Sequence, residues 1–136
     1  MYEAQLRDIP FFRKLSKREL AAIAQQTDEV DVDSGKELIR EGDFGQEFFV
    51  IIDGTAEVLL GESPIAELGP GEFFGEMALV DEERRTATVR AISRMRVLVM
   101  TRQSFRGMDR AMPQIHEAVV EAIRERRAAL QAVAAG

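Results

Sequence analysis

The stretch Gly71-Glu-Phe-Phe-Gly75-Glu-Met-Ala-Leu-Val80-Asp-Glu-Glu-Arg-Arg85-Thr-Ala-Thr-Val-Arg90-Ala91 decides the fold, because it interrupts with helix formers a region otherwise patterned for strands. Glu76 to Leu79 follow a glycine and favour a helix, so the spacing predicts one short helix there. Its first N–H groups, around Gly75 to Ala78, lack intrahelical acceptors and point into whatever the strands enclose. Free N–H groups at a helix start attract anions. In the strand that follows, strict alternation places Arg85 with Ala87, Val89 and Ala91, and Arg84 with Thr86, Thr88 and Arg90. Arg85 is therefore expected to point inward.

An inward guanidinium needs a partner, since an unpaired buried charge is strongly unfavourable. Two readings follow. Arg85 either pairs with Glu76 or Asp81 as a buried ion pair that holds the loop, or it joins the helix start in clamping a phosphate. In the second case each charge-assisted hydrogen bond contributes roughly 1.5–3 kcal/mol. Glu76 is unfavourable beside a phosphate unless its carboxylate faces a hydroxyl, as on a ribose, and a phosphate beside a hydroxyl describes a nucleotide.

Outward from this segment, Val30 to Met100 reads as short runs of β-branched and aromatic residues. They are broken at Asp33-Ser34-Gly35, Glu41-Gly42-Asp43, Asp53-Gly54, Gly61 to Pro64 and Gly69-Pro70-Gly71. Strands are predicted near Val30–Asp33, Glu37–Arg40, Phe48–Asp53, Thr55–Leu60, Ile65–Leu68, Thr86–Ala91 and Arg96–Thr101. They form a small antiparallel β-barrel of the double-stranded β-helix, or jelly-roll, type. Ahead of it, Leu6, Ile9, Phe12, Leu15, Leu20 and Ile23 suit two short helices, with Ser16 as an N-cap. Behind it, Arg102 to Met108 reads as one helix, and Pro113 opens a long amphipathic helix to about Val133. The expected plan is a single domain over 1–136: N-terminal helices in 1–29, a β-barrel in 30–101 and C-terminal helices in 102–133. The glycines Gly35, Gly42, Gly45, Gly54 and Gly71 are read as turn residues, and Gly75 as a site of close approach.

Composition removes several function classes. The 136 residues carry a net charge of −6, which argues against a nucleic-acid surface that must neutralise phosphates. There is no cysteine and one histidine, His116, so thiolate metal sites, cysteine nucleophiles and the histidine clusters of metal cupins have no ligands to build on. No signal peptide or membrane-length apolar run is present, and the expected location is the cytoplasm. The reading is of a non-catalytic protein with no cofactor or metal. His116 is read as a helix-surface residue, and Met77, Met95 and Met100 as core fillers.

Phe74-Gly-Glu-Met-Ala-Leu79 followed by Arg85-Thr-Ala-Thr-Val89 resembles the phosphate-binding cassette, here 74–89, of the cyclic nucleotide-binding domain family. That family includes catabolite activator proteins, kinase regulatory subunits and nucleotide-gated channels. Ile9-Pro-Phe-Phe-Arg-Lys-Leu-Ser16, Ile39-Arg-Glu-Gly-Asp-Phe-Gly45 and Phe48-Phe-Val-Ile-Ile-Asp-Gly54 are similar to its helical entry and turns. The resemblance implies a ligand, cyclic AMP or cyclic GMP. Arg85 would meet the cyclic phosphate and Glu76 the ribose 2′-hydroxyl. Gly75 and Ala78 would supply N–H groups, Phe74 and Met77 would belong to the same site, and Thr86 would lie near phosphate and base. Thr86 in that role conflicts with regular alternation, so the chain must be irregular there. Val58 and Leu68 are expected at the base, or equally in the core.

Val119, Ile123, Arg126 and Leu130 share one helical face. Arg126 either lays its stem over apolar surface or, with Leu130, closes over the base as the family's lid does; Arg124 and Arg127 compete for that role. Leu79 is expected to carry cassette movement into the core. The implied output is a changed contact of the last helix with a second copy, a fused domain or a partner protein. A ligand-free barrel serving as a dimerisation or interaction module is the alternative function. No residues after the long helix remain for a helix-turn-helix, so direct DNA binding is not expected.

Overall fold

The computed structural model describes residues 2–135, with side chains through 129. Helix α1 (Glu3–Arg7), a 3-10 turn (Pro10–Phe12) and α2 (Lys17–Ala24) lead into β1 (Asp28–Val32), β2 (Glu37–Ile39), β3 (Glu47–Asp53), β4 (Ala56–Leu60), β5 (Ser63–Leu68) and β6 (Phe73–Phe74). A 3-10 turn (Glu76–Leu79) follows, then β7 (Thr88–Ala91), β8 (Met95–Thr101), α3 (Arg102–Ala111) and α4 (Pro113–Ala135). Helix α2 starts at a complete capping box. The Glu19 N–H donates to the Ser16 hydroxyl at 3.1 Å, and the Ser16 N–H donates to the Glu19 carboxylate at 2.9 Å.

The strands form two four-stranded antiparallel sheets, ordered β1-β8-β3-β6 and β2-β7-β4-β5. The jelly roll is as expected, but no closed barrel forms. The sheets share no strand ladder: β1 and β6 end one, β2 and β5 end the other. Several predicted boundaries shift by one to three residues, and two differences bear on the site. Phe73–Phe74 form a short strand on β3, which the following helix formers hide in the sequence. The strand after the cassette begins at Thr88 rather than Thr86, because residues 86 and 87 bend.

Alternation along β3 and β8 builds two cores. Phe48, Val50, Leu98 and Met100 face the helices and pack with Leu6, Phe12, Leu20, Phe105, Val119 and Ile123. Phe49, Ile51, Val97 and Val99 face the other way and pack between the sheets with Ala56, Phe74, Val89 and Ala91. Leu79 belongs to the helical core, so the short turn after Gly75 is anchored on the side of the C-terminal helices. Met95 and Met100 are buried as expected. His116 instead stacks on Phe105, with ring centroids 4.6 Å apart. No helix among the described residues is long and apolar enough to cross a membrane.

Candidate functional site

The cassette is the crossover between the sheets, leaving β6 in one and entering β7 in the other. Gly75 sits in the left-handed region at φ +83°, which reverses the chain before the 3-10 turn. The Ala78 N–H donates to the Gly75 carbonyl at 3.2 Å. It is therefore not one of the free donors expected here; the tighter i→i+3 pattern uses it, leaving the N–H groups of Gly75, Glu76 and Met77 at the start of the turn.

The segment 83–85 zips against the turn 42–45. The Arg85 N–H donates to the Asp43 carbonyl at 2.7 Å, the Gly42 N–H to the Arg85 carbonyl at 2.8 Å, and the Gly45 N–H to the Glu83 carbonyl at 3.1 Å. Arg84 turns outward, donating to the Gly42 carbonyl at 2.8 Å with its guanidinium 4.4 Å from the Phe44 ring centroid. Arg85 turns inward. It donates to the Glu47 carbonyl at 2.6 Å and the Gly75 carbonyl at 3.3 Å. Burial pulls its pKa below the ordinary arginine value, and the Glu47 and Glu76 charges only partly oppose this.

Neither ion pair foreseen for Arg85 forms. Asp81 is taken by Arg127, at 2.7 Å, and by Arg124, at 3.8 Å. Among the described residues Arg85 has carbonyl partners only, and Glu76 has no hydrogen-bond partner. A desolvated guanidinium on two neutral acceptors is poised for an anion.

Arg85 and Glu76 line one cavity of about 260 Å³ with Val58, Phe74, Gly75, Met77, Ala78, Thr86 and Val89. Its wall is more apolar than polar, with the charged groups gathered at the cassette. A cleft of about 320 Å³ also touches Arg85, but Glu37, Asp43 and Glu47 line it against a single further cation, Arg40, which is paired with Glu37, and the balance disfavours an anion there. Arg85 and Thr86 line the same cavity, and the chain bends at 86–87, where regular alternation would have separated them. Alternation does not run through Arg85, so its inward direction comes from the hydrogen bonds to 43 and 47 instead.

Two of the remaining expected contacts, Leu68 and Arg126, lie elsewhere. Leu68 packs against the core between the sheets and is absent from the cavity lining. Arg126 places its guanidinium 5.1 Å from the Phe73 ring centroid, with its Nε buried and unbonded. Its neighbour Arg127 reaches the cassette, bonding both Asp81 and Glu83. The side chain of Leu130 lies outside the described residues.

Gly45 is the residue that sequence reasoning misplaced. Its φ is not positive, so no turn requires glycine; a Cβ there would lie 2.8 Å from Arg85 Cζ and 2.9 Å from its Nε. A Cβ on Gly75 would lie 2.9 Å from Arg85 Nη1. The two glycines form the slot that holds the guanidinium. The signal available in sequence was a second glycine three residues after Gly42, one more than a single turn needs.

A jelly roll with a carbonyl-held cation and an unbonded carboxylate lining one largely apolar cavity is suited to holding a small molecule, and no metal-holding cluster occurs among the described residues. Residues 29–110 match the family model described as the cyclic nucleotide-binding domain, and the chain belongs to that family. A cAMP-dependent protein kinase regulatory subunit of Mycosarcoma maydis is 37% identical over 114 residues, covering 77% of this chain and 22% of that protein. A cyclic nucleotide-gated potassium channel of Rhizobium etli is 34% identical over 119 residues, covering 88% of this chain and 33% of the channel. The chain thus spans a third or less of these two relatives. Among solved structures, the N-terminal domain of a transcriptional regulator from Streptomyces coelicolor superposes with a TM-score of 0.83 at 27% identity, covering 93% of this chain and 94% of that one. The Thermus thermophilus catabolite activator protein does so with a TM-score of 0.69 at 30% identity, covering 90% and 61%.

Proposed function

We propose that this chain is a non-catalytic sensor for a cyclic mononucleotide, cyclic AMP before cyclic GMP, which reports occupancy through its C-terminal helices. The observation that carries the reading is Arg85, a half-buried cation on two carbonyls with Glu76 free in the same cavity. The cyclic phosphate pairs with Arg85 and meets the N–H groups at Gly75 to Met77. Glu76 accepts from the ribose 2′-hydroxyl. Val58 and Val89 offer apolar surface to the base, with Thr86 at the edge. The preference for cyclic AMP rests on the relatives named as cAMP-dependent kinase regulatory subunits.

Readout runs through the cassette. Its Leu79 packs in the same core as Val119 and Ile123 of α4, so a ligand that orders the cassette shifts how α4 sits. The recipient is a fused domain, a partner protein or a second copy of the chain, in the cytoplasm.

Isothermal calorimetry of nucleotide-free protein against cyclic AMP, cyclic GMP and 5′-AMP tests this. Micromolar or tighter binding of a cyclic form, much weaker 5′-AMP and at least hundredfold loss in Arg85→Ala with an unchanged melting midpoint are the expected results, on the order of 3 kcal/mol for the phosphate contact. No binding by the wild type would leave a ligand-free interaction module. Unfolding of Arg85→Ala would make Arg85 a structural residue.

A further inference from the structure

Three consecutive carboxylates, Asp81-Glu82-Glu83, stand immediately before Arg84-Arg85 in the loop that forms the anion site. Left alone, they would set a formal charge of −3 against the two arginines and repel any anion at Arg85. Each is neutralised from the C-terminal helices. Arg127 of α4 forks across two of them, donating Nη1 to Asp81 Oδ2 at 2.7 Å and Nη2 to Glu83 Oε1. Arg124, one turn earlier, lies 3.8 Å from Asp81. Arg102, at the start of α3, is 3.4 Å from Glu82 and itself buried, 7% exposed.

Glu83 couples this network to the site. It lines the cavity with Arg85, and its carbonyl accepts from Gly45, one of the two glycines beside the guanidinium. Arg127 and Asp81 are about a third exposed and Glu83 is 41% exposed, so their interaction is screened less than between fully solvated ions.

We propose that the docked C-terminal helices serve as the counter-ions of the cassette's acidic tripeptide, with Arg127 the main contributor, so that helix docking and anion binding support each other. This rests on the nucleotide-sensor reading of the same cavity. When α4 leaves the cassette, Asp81 and Glu83 lose Arg127 together, and their field lowers the affinity of the site for a cyclic phosphate. Linkage requires the converse: a bound anion raises the affinity of α4 for the cassette by the same factor. Arg127 is a positioning and field-setting residue that acts through Asp81 and Glu83 without touching ligand.

The test is calorimetry with cyclic AMP and cyclic GMP on the wild type, Arg127→Ala, and the triple variant Arg127→Ala, Asp81→Asn, Glu83→Gln, each checked by its melting midpoint. Arg127→Ala is expected to bind about threefold to tenfold more weakly, in the range of a partly exposed ion-pair cluster. The triple variant should return to within about twofold of wild type, because the repelling charges are gone. The difference between wild type and Arg127→Ala should shrink as salt rises from about 50 to 500 mM. A structural role for the fork predicts otherwise, since alanine cannot rebuild its hydrogen bonds and the triple variant would stay weak. Equal binding by Arg127→Ala and wild type, or no recovery in the triple variant, overturns the proposal alone. A wild type that binds neither cyclic nucleotide overturns the sensor reading and this proposal with it.

Discussion

The two sheets divide the labour of the molecule. The sheet β1-β8-β3-β6 is covered on both faces where β3 and β8 run, by the helices on one side and the second sheet on the other. The sheet β2-β7-β4-β5 is covered on one face only. Its outer face carries the Glu57–Arg90 pair at 2.7 Å, and its edge strand β5 is exposed along almost its whole length. Both sheets contribute to the cavity, Phe74 from the first and Val58 and Val89 from the second. The cassette bridges them. Stability is thus concentrated in the helix-backed sheet, while ligand chemistry sits at the seam between that anchored layer and a thinner one.

The largest expected effect tests this division directly. Phe48 is 1% exposed, packs on the helical core and sits 5.5 Å from the Phe11 ring and 6.1 Å from the Phe73 ring. Phe48→Ala should cost about 3–5 kcal/mol in chemical denaturation. Ile65→Ala on β5, where the side chain is 55% exposed, should stay within about 0.5 kcal/mol. Comparable losses at both positions would mean that the open sheet is as strongly held as the helix-backed one.

A smaller effect, on binding alone, separates the seam from the two layers. Gly45 has no positive φ, so alanine there introduces contact rather than backbone strain. Gly45→Ala should push the Arg85 guanidinium from its slot and weaken cyclic nucleotide binding about tenfold to hundredfold, with little change in melting midpoint. In an Arg85→Lys background the same substitution should cost far less, because the thinner lysine stem leaves room for a Cβ. Equal losses in both backgrounds would show that Gly45 serves the loop and not the arginine.

What could be read from the sequence follows the same seam. Elements specified by local pattern were legible: the Ser16 cap, the alternation of Phe48 to Ile51 and the proline start of α4 all appear where the residues dictate. Barrel closure was not, because hydrogen bonding between distant strand edges leaves no local signature. At the site, Arg85, Glu76 and Gly75 were legible from charge and spacing, whereas Thr86 followed from the family resemblance alone and against regular alternation; all four line one cavity. The inward direction of Arg85 was foreseen for an incomplete reason: alternation fails across the bend at 86–87, and carbonyls from other segments aim the side chain. The choice of Arg127 over Arg126 as the cassette contact was illegible, since one residue of helix rotation separates a cation over Phe73 from a fork on Asp81 and Glu83.

The smallest expected effect probes the side of the cavity that lacks a strong electrostatic signal. Glu76 lines it with no hydrogen-bond partner among the described residues, and an amide oxygen at the same place still accepts from a hydroxyl. Glu76→Gln exchanges a charged acceptor for a neutral one, a loss of about 1 kcal/mol or roughly fivefold. Removing a negative charge near the phosphate offsets part of that. The ratio of affinities for the ribose ligand and its 2′-deoxy analogue is the sharper readout, because the phosphate contributes equally to both. That ratio should fall towards one in Glu76→Gln while Arg85→Lys leaves it unchanged. A wild type that binds the two ligands equally would remove Glu76 from the site and leave phosphate capture by Arg85 as the source of selectivity at the seam.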